Sequence, residues 1–293
     1  MFNFLKKEKV EDNGVFVLFD IGGTKTRVAA SRDGKTFDEP KIAPTPKNFD
    51  EAMAALKKLA DEARAGSPVK ALSGGVPGVL NRDGATIFKL PNLPEWNGKP
   101  IKAELERIFN APAYIENDTA LVGLGEARSG AGRGYGTVAY ITVSTGIGGV
   151  RIVDGFIDRK TFGFEPGWQI INFSDFIKNR DSGHLGEYVS GWALEEKFGE
   201  HFYKNTDPKI IDELTLELTI GLYNSVLHWS PEIVVLGGSL ISGEGGFSIR
   251  AIENKLRELL AIFPEIPDVK KAELGSFGGL HGALEFIGQK INN

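Results

Sequence analysis

The start of the chain carries three short runs rich in apolar and β-branched residues, at residues 15–19, 27–31 and 36–42. Glycine and aspartate, which favour turns, lie between these runs. Runs of this length and composition are typical of β-strands, and the short gaps between them are typical of hairpins. The pattern therefore predicts a three-stranded antiparallel meander in this part of the chain.

After this meander the apolar positions recur every three or four residues, which is the spacing of one helix face. Asn48 suits the N-cap of the helix, and Gly66 suits its end. The apolar residues that share the predicted face are Phe49, Met53, Leu56, Ala60 and Ala63. The patterns further along predict a strand at 69–73, a helix at 101–109, a strand at 113–115 and a helix that begins near Asp118.

Residues 138–157 repeat the layout of the first hairpin: an apolar run, a small polar turn with glycines, and a second apolar run. Two similar strand–turn–strand units, one in each half of the chain, indicate a duplicated scaffold. In such a scaffold each half offers one turn to a shared cleft. The repeat therefore favours a two-lobed phosphotransferase.

Composition narrows the class of protein. The chain has 293 residues, of which 41% are hydrophobic and 25% charged, enough for a large core divided between two lobes. A formal net charge of -5 disfavours a broad nucleic-acid surface, so no nucleic-acid partner is expected. The absence of cysteine excludes disulfides, thiolate zinc sites and cysteine nucleophiles. No apolar stretch is long enough to span a bilayer and residues 1–12 are too charged for a signal peptide, so we expect a cytoplasmic protein without a membrane partner.

The most informative segment reads DIGGTKT and starts at Asp20. Gly22 and Gly23 lack a Cβ atom, so their backbone N–H groups can approach an anion closely, and Thr24 adds a hydroxyl donor. The carboxylate of Asp20, at the end of a predicted strand, could hold magnesium through water, because this ion prefers oxygen ligands and keeps much of its hydration shell. We therefore predict that this first glycine turn (residues 22–24) binds phosphate. An ordinary hairpin turn is the alternative.

With these residues the chain resembles the ROK family, named for repressors, open reading frames and sugar kinases, within the actin-like ATPase superfamily. The family's two phosphate loops resemble DIGGTKTR and VSTGIGGVRI here, and its adenosine-side turn resembles IVVLGGSLI. Its sugar-side loops resemble GVPG and LPNLPEW, and its segment with the catalytic aspartate resembles ENDTALVGLGE. The order of these segments is specific, and the resemblance extends from residue 15 to about residue 287.

The resemblance implies an α/β fold of two ribonuclease-H-like lobes around a central cleft. The small lobe would comprise residues 1–116 together with a carboxy-terminal helix at 280–293, and the large lobe residues 117–279.

The resemblance also implies the residues of the site. Asp118 would be the general base that takes the proton of a sugar 6-hydroxyl, and a plain helix N-cap is the alternative for this residue. The residues that would contact the sugar are Gly75, Pro77, Asn92, Asn117, Asp118 and Glu165. The residues that would hold the nucleotide and its magnesium are Asp20, Gly22, Gly23, Thr24, Thr145, Gly146, Gly148, Gly237, Gly238 and Ser239.

Two of the predicted nucleotide contacts lie in turns of their own. Residues 144–148 form the second glycine turn. Residues 237–239 form the glycine–serine turn, for which a buried strand with a tight exit is the alternative.

The activity that the resemblance implies is that of an ATP- and magnesium-dependent hexose 6-kinase of glucokinase type, acting as a homodimer. N-acetylhexosamine kinase and fructokinase are the alternatives within the class, and polyphosphate is an alternative phosphoryl donor. A sugar-binding regulator without catalysis is the alternative from another class. We expect the kinase, because the segment before residue 15 is too short for a DNA-binding domain.

The chain departs from the family pattern at the zinc segment. Most ROK relatives carry a Glu-x-Gly-His element followed by a cysteine-rich segment. Here Glu165 and Gly167 are retained, but Trp168 stands at the histidine position and no cysteine follows. His184 alone cannot form a closed tetrahedral zinc site. We therefore predict a protein without zinc, in which packing of Trp168 and nearby apolar groups holds the sugar-side loop.

Two charged residues near these motifs are assigned no chemistry. Glu126 lies too far along the predicted helix from Asp118 for paired acid–base work, which favours a role in scaffold packing. Lys25 is predicted to point to solvent or a surface carboxylate, because the Walker spacing GxxxxGK[ST] is absent.

Overall fold

The computed structural model describes residues 14–90, 93–199, 206–243 and 246–291. The strands are β1 (Val15–Ile21), β2 (Lys25–Ser31), β3 (Lys41–Pro44), β4 (Val69–Val76), β5 (Val79–Leu80), β6 (Ile87–Lys89), β7 (Ala113–Asn117), β8 (Thr137–Val143), β9 (Ile147–Val153), β10 (Phe156–Ile157), β11 (Ile233–Gly237) and β12 (Asp268–Lys271). The helices are α1 (Phe49–Arg64), α2 (Ile101–Phe109), α3 (Asp118–Ser129), α4 (Phe173–Lys178), α5 (Leu185–Val189), α6 (Gly191–Phe198), α7 (Pro208–Trp229), α8 (Ser239–Ser242), α9 (Ile249–Leu259) and α10 (Gly278–Ile291). Within these ranges no helix is both long and apolar enough to cross a bilayer.

Each half of the chain contributes a five-stranded sheet. The first sheet has the strand order β3–β2–β1–β4–β7, and the second has the order β10–β9–β8–β11–β12. In both sheets the first three strands form an antiparallel meander, and two later strands are added in parallel. The predicted internal repeat is therefore confirmed, because the hairpins β1–β2 and β8–β9 occupy equivalent places in the two sheets.

Helix α1 follows its predicted pattern closely. The side-chain oxygen of Asn48 accepts the N–H groups of Asp50 and Glu51 at 3.0 and 3.1 Å. The helix ends where Ala65 and Gly66 take left-handed backbone angles, with φ of 48° and 82°. The buried residues include the whole predicted face: Phe49, Met53, Leu56, Ala60 and Ala63. Local capping and one apolar face are therefore sufficient to specify this element.

The third strand lies later than the sequence pattern predicts. The prediction was 36–42, whereas β3 begins at Lys41. One carboxylate oxygen of Asp33 accepts the N–H groups of Lys35 and Thr36, each at 2.8 Å. This side-chain bonding folds the start of the predicted strand into a turn, and regular pairing with β2 begins only after it.

Helices α3 and α10 pack against each other between the two sheets. Their backbones are in contact: a Cβ atom on Gly282 would overlap the carbonyl oxygen of Leu121, and one on Gly125 would lie 2.9 Å from the nitrogen of Gly282. The buried hydroxyl of Ser73 in β4 donates to the carbonyl oxygen of Ala283 at 2.7 Å and so joins α10 to the first sheet. The apolar residues around the two helices come from both sheets and include Leu18, Ala71, Val138, Tyr140, Val150 and Leu280.

The boundary between the predicted lobes stays a prediction. Helix α10 packs on β1 and β4 of the first sheet, as expected for the carboxy-terminal helix of the small lobe. Helix α3, however, contacts strands of both sheets. The break proposed between residues 116 and 117 thus falls at the start of an element that both halves share.

Glu126 is fully buried and fixes the end of α3. One carboxylate oxygen accepts the N–H groups of Ala131 and Glu273 at 2.9 and 3.1 Å, and the other accepts the N–H group of Leu274 at 2.8 Å. Three backbone donors satisfy this buried carboxylate without a cation. The bonds tie α3 to the segment that leads into α10, which confirms the predicted scaffold role.

We expect Glu126→Gln to lower the free energy of unfolding by about 2 kcal/mol, because an amide NH₂ would face backbone N–H donors and leave at least one of them unsatisfied. Chemical denaturation measures this change. Glu253→Gln is the matched control, since Glu253 forms an exposed pair with Arg257 and its loss costs at most about 0.5 kcal/mol. Equal stability of the two variants would contradict the scaffold role.

Candidate active site

A cavity of about 810 Å³ lies between the two hairpins. It brings together most of the site residues predicted from sequence. Those that line it are Asp20, Gly22, Gly23, Thr24, Pro77, Asn117, Asp118, Thr145, Gly146, Gly148 and Glu165. One cleft therefore contains both glycine turns, the predicted base and part of the predicted sugar side.

The first glycine turn is braced from β3. The N–H group of Gly22 donates to the carbonyl oxygen of Lys25 at 3.0 Å, which closes the turn. The hydroxyl of Thr45 donates to the carbonyl oxygen of Gly22 at 2.7 Å, and it also lies 2.9 Å from the hydroxyl of Thr26. Thr24 is left exposed to the cleft. Sequence reasoning missed Thr45, because this residue joins the turn only through the pairing of β2 with β3.

The second glycine turn is fixed by the start of α6. The N–H group of Ser144 donates to the carbonyl oxygen of Gly146 at 2.9 Å within the turn. The N–H groups of Gly191 and Trp192 donate to the carbonyl oxygens of Ser144 and Thr145 at 2.7 and 3.1 Å. These bonds occupy backbone carbonyls and leave Thr145 and Gly146 exposed to the cleft. The turn is therefore a preorganised surface of N–H and hydroxyl donors.

The glycine–serine turn lies beside the second glycine turn. Gly238 has a φ of 92°, and a Cβ atom there would overlap the carbonyl oxygen of Val143. The hydroxyls of Ser239 and Ser144 lie 3.1 Å apart. Gly237 ends the buried strand β11, as the alternative interpretation of this segment has it. Contact with nucleoside stays a prediction for Gly237, Gly238 and Ser239.

Two carboxylates meet at the floor of the cleft: that of Asp20 at the end of β1 and that of Asp118 at the start of α3. In the first sheet, Gly75 pairs with Asp20 on one side and with Glu116 on the other. A Cβ atom on Gly75 would lie 2.8 Å from the Cα atom of Asp118 and 3.5 Å from a carboxylate oxygen of Asp20. Gly75 therefore lies beneath the two carboxylates and lets them approach each other. Its predicted contact with sugar stays a prediction.

Asp118 does not cap helix α3. The side-chain oxygen of Asn117 accepts the N–H group of Ala120 at 3.0 Å, so Asn117 is the N-cap. The capping alternative for Asp118 is thus wrong, and its carboxylate instead accepts the neighbouring N–H group of Thr119 at 2.7 Å. Asp118 lies partly exposed on the cleft floor, where its carboxylate can be reached by a ligand.

The surroundings of the two carboxylates favour their neutral forms. Desolvation, followed by the nearby charge of Asp20, raises the pKa of Asp118 to about 7 against the opposing hydrogen bond from Thr119. Burial also raises the pKa of Asp20, while the guanidinium of Arg27 acts in the opposite direction. A carboxyl with a pKa near 7 is suited to proton transfer at neutral pH.

Arg27 and Gly279 are site residues that the sequence reasoning missed. Arg27 faces Asp20 across the β1–β2 ladder and donates to its carboxylate at 3.2 Å. A Cβ atom on Gly279, at the start of α10, would lie 2.6 Å from the carboxylate carbon of Asp20. The signal for Arg27 was its place opposite Asp20 in the hairpin register. The signal for Gly279 was a glycine pair far from any recognised motif.

The residues predicted to contact the sugar differ in their hydrogen bonding and in their exposure to the cleft. Asn117 donates from its amide nitrogen to the carbonyl oxygen of Gly78 at 3.0 Å, so both ends of this side chain carry structural bonds. Glu165 is exposed to the solvent of the cleft, and partial desolvation raises the pKa of its carboxyl. Asn92 lies outside the described residues. Pro77 lines the cleft, as do Leu90 and Phe164.

The oxygen donors of this cleft fit magnesium. Carboxylates of Asp20 and Asp118, with the threonine hydroxyls of the two glycine turns, are hard donors of the kind this ion takes, directly or through water. Among the described residues, no cluster of three or more histidine, cysteine or acidic side chains could form a closed metal site. Zinc content itself stays a prediction.

Backbone bonds hold the segment where relatives would place zinc. The N–H groups of Leu185 and Ile171 donate to the carbonyl oxygens of Gln169 and Gly183 at 2.8 and 2.9 Å. A ring nitrogen of His184 lies 3.0 Å from the carbonyl oxygen of Trp168, and the two rings meet edge to face. Trp168 itself is 59% exposed. The predicted role of Trp168 packing in holding the sugar-side loop stays a prediction, and hydrogen bonds between two backbone segments also support this loop.

The two equivalent sheets, the helices between them and the cleft at their hairpins together define the actin-like ATPase fold. Within that class, the model of the ROK family matches residues 17–290, so the chain belongs to the ROK family. Both the predicted fold class and the predicted family are confirmed.

Known proteins with similar structures and sequences include several sugar kinases. The ROK hexokinase from Thermus thermophilus has a TM-score of 0.79 and 29% identity, over 95% of this chain and 100% of that chain. A ROK family glucokinase from Streptomyces griseus, in complex with glucose and AMPPNP, has a TM-score of 0.77 and 25% identity, over 93% of this chain and 98% of that chain. N-acetyl-D-glucosamine kinase from Yersinia pseudotuberculosis is 28% identical over 296 residues, which cover 90% of this chain and 96% of that protein.

We expect Gly279→Ala to lower the free energy of unfolding by about 1–3 kcal/mol, because its Cβ atom would collide with the carboxylate of Asp20. Gly288→Ala is the matched control in the same helix, since a Cβ atom there meets nothing within 4 Å. The control is expected to gain up to about 1 kcal/mol from helix propensity. Thermal or chemical unfolding compares them, and a Gly279→Ala variant as stable as the control would refute the close approach.

Proposed function

We propose that this protein is an ATP-dependent kinase that phosphorylates the 6-hydroxyl of a hexose, with glucose as the first candidate. The observation that carries the proposal is that Asp118 and both glycine turns line one cavity. The named activities of the similar proteins, a hexokinase, a glucokinase and an N-acetyl-D-glucosamine kinase, support the same class.

The triphosphate of ATP lies between the two glycine turns in this proposal. Gly23, Thr24, Thr145 and Gly146 are exposed there, so their N–H and hydroxyl groups donate to phosphate oxygens. The adenosine extends toward the glycine–serine turn beside the second glycine turn. Magnesium held through water by Asp20 would neutralise charge that develops on the phosphates.

Asp118 acts as the general base in this proposal. Its pKa of about 7 makes it a stronger proton acceptor than an ordinary aspartate at neutral pH. The sugar hydroxyl loses its proton to Asp118 as its oxygen forms a bond to the γ-phosphorus. The bond from that phosphorus to the bridging oxygen breaks, and ADP leaves with the electron pair. Positioning of the two reactants and stabilisation of the charge that develops on the phosphates supply the rest of the rate enhancement, as in other phosphoryl transfers.

The sugar is recognised at Pro77, Asn117 and Glu165 in this proposal, with Asn92 and Gly75 as further expected contacts. The identity of the hexose rests on the family resemblance, since glucose and N-acetylglucosamine kinases match this chain with similar identity. N-acetylhexosamine kinase and fructokinase therefore stay as alternatives, and polyphosphate stays as an alternative donor. A homodimer and a cytoplasmic location also stay predictions.

A coupled assay with ATP tests the proposal across glucose, mannose, fructose, N-acetylglucosamine and N-acetylmannosamine. We expect the highest kcat/KM with glucose, and repetition with polyphosphate identifies the donor. Asp118→Asn should lower kcat by at least about a thousandfold while sparing sugar binding, because the base is lost and the shape is kept. Asp154→Asn is the control, since Asp154 is an exposed turn residue with a φ of 51° that asparagine also adopts.

Two outcomes would contradict this proposal. A near-normal rate for Asp118→Asn would show that another group takes the proton. Sugar binding without any sugar-dependent ATP consumption would favour the non-catalytic regulator.

The raised pKa of Asp118 also has a consequence for stability without nucleotide or magnesium. Ionising this carboxyl costs more in the folded protein, so its contribution to stability is full below about pH 4 and is lost as the pH rises through about 7. Asparagine carries no charge. We therefore expect Asp118→Asn to be more stable than the wild type by about 2 kcal/mol at pH 8, after allowance for solvent in the cleft, and equally stable near pH 4. Unfolding curves at both pH values, with Asp154→Asn alongside, measure the difference, and a pH-independent difference would contradict it.

A further inference from the structure

Among the described residues, the side chain of Arg27 in the cleft wall forms a single hydrogen bond. It opposes Asp20 in the antiparallel ladder of β1 and β2, and one terminal nitrogen donates to one carboxylate oxygen of Asp20 at 3.2 Å. The Arg27 and Asp20 side chains are only 20% and 11% exposed. The pair is therefore largely shielded from solvent and is screened less by salt than a surface ion pair.

The pose of Arg27 carries an energetic cost. Its Nε atom is buried and has no hydrogen-bond partner among the described residues. A buried donor left unsatisfied lowers stability, because it loses its bonds to water and gains none in return. Stability alone would therefore not favour arginine at this position. Its pairing with Asp20 explains why arginine is present.

The single bond leaves Asp20 in a defined state. Arg27 engages the Oδ2 atom, while the Oδ1 atom lies on the side of Gly75 and Asp118. On its other side the carboxylate lies so close to the backbone of Gly279 that a Cβ atom there would be 2.6 Å from its carbon. A bidentate arginine would occupy both oxygens. The observed geometry holds one oxygen and directs the other toward the floor of the cleft.

Arg27 is a basic residue of the cleft that contacts Asp20 directly. Of the charged cleft-lining residues that the structure describes, Asp20, Asp118 and Glu165 are acidic, and Lys25 and Arg27 are basic. Lys25 is exposed, whereas Arg27 is bonded to the carboxylate of Asp20. Arg27 is therefore placed to set the orientation of the carboxylate that is expected to hold magnesium.

We propose that Arg27 is a positioning residue that holds the carboxylate of Asp20 in one orientation, so that Asp20 can hold the hydrated magnesium of a bound nucleotide. The inference rests on the nucleotide site of the proposed function. It assigns to Arg27 the coupling between magnesium and nucleotide, and it gives Arg27 no contact with sugar.

Calorimetric titration with AMPPNP, with and without magnesium chloride, tests this role without turnover. We expect magnesium to tighten AMPPNP binding to the wild type, and we expect Arg27→Met to reduce that gain at least tenfold. Affinity without magnesium should change less than threefold. Arg27→Lys should recover most of the gain, because one donor is all that Asp20 receives from Arg27. Arg32→Met is the control, since Arg32 forms an exposed pair with Asp38 and should leave the gain unchanged.

Three results would overturn the inference: full magnesium coupling in Arg27→Met, equal loss of affinity with and without magnesium, or no tightening by magnesium in the wild type. Arg27→Leu, which also removes the donor and is expected to lose the same gain, takes the place of Arg27→Met should the latter not fold.

The sugar assay is a separate measurement. Loss of coupling in Arg27→Met, in a protein that phosphorylates no hexose, would support Arg27 and refute the sugar kinase. Intact coupling in Arg27→Met, in an active hexose kinase, would refute the role of Arg27 alone.

Discussion

The close packing of Asp20 and Asp118 against glycine backbone is the constraint on which the site depends. Gly75 lies beneath the two carboxylates and lets them approach each other, and Gly279 lies close to Asp20 at the start of α10. A methyl group at either glycine would force the carboxylates apart or out of place. The resulting low-dielectric, like-charged pair explains both the raised pKa of Asp118 and the presence of Arg27 beside Asp20.

The duplicated sheets place two turns with exposed N–H and hydroxyl donors at one cleft. In each sheet the hairpin turn lies at the end of a central strand, and that strand pairs in parallel with a later one. The two turns are then braced by unrelated means. Thr45 bonds to the first glycine turn from β3, and the start of α6 bonds to the second. Similar layout therefore does not require similar support.

Much of this arrangement could be predicted from the sequence, because it follows from local signals. Apolar periodicity and the Asn48 cap predict α1, and glycine-rich turns at strand ends predict both donor surfaces. The remainder depends on how side chains bond locally and on contacts between distant segments. The late start of β3 follows from local bonding by Asp33, which the apolar pattern of residues 36–42 does not show. The approach of Gly279 to Asp20 depends on how α10 packs, and its own neighbourhood does not distinguish it from an ordinary helix start.

The backbone contact between α3 and α10 has a consequence for the spacing of the two carboxylates. Helix α3 begins at Asp118, α10 begins beside Asp20, and Gly282 locks the two helices together against Leu121. The contact between the two helices thus links the element that carries Asp118 to the helix that packs against Asp20 in β1. The spacing of the two carboxylates is therefore set by backbone packing to which no ligand contributes.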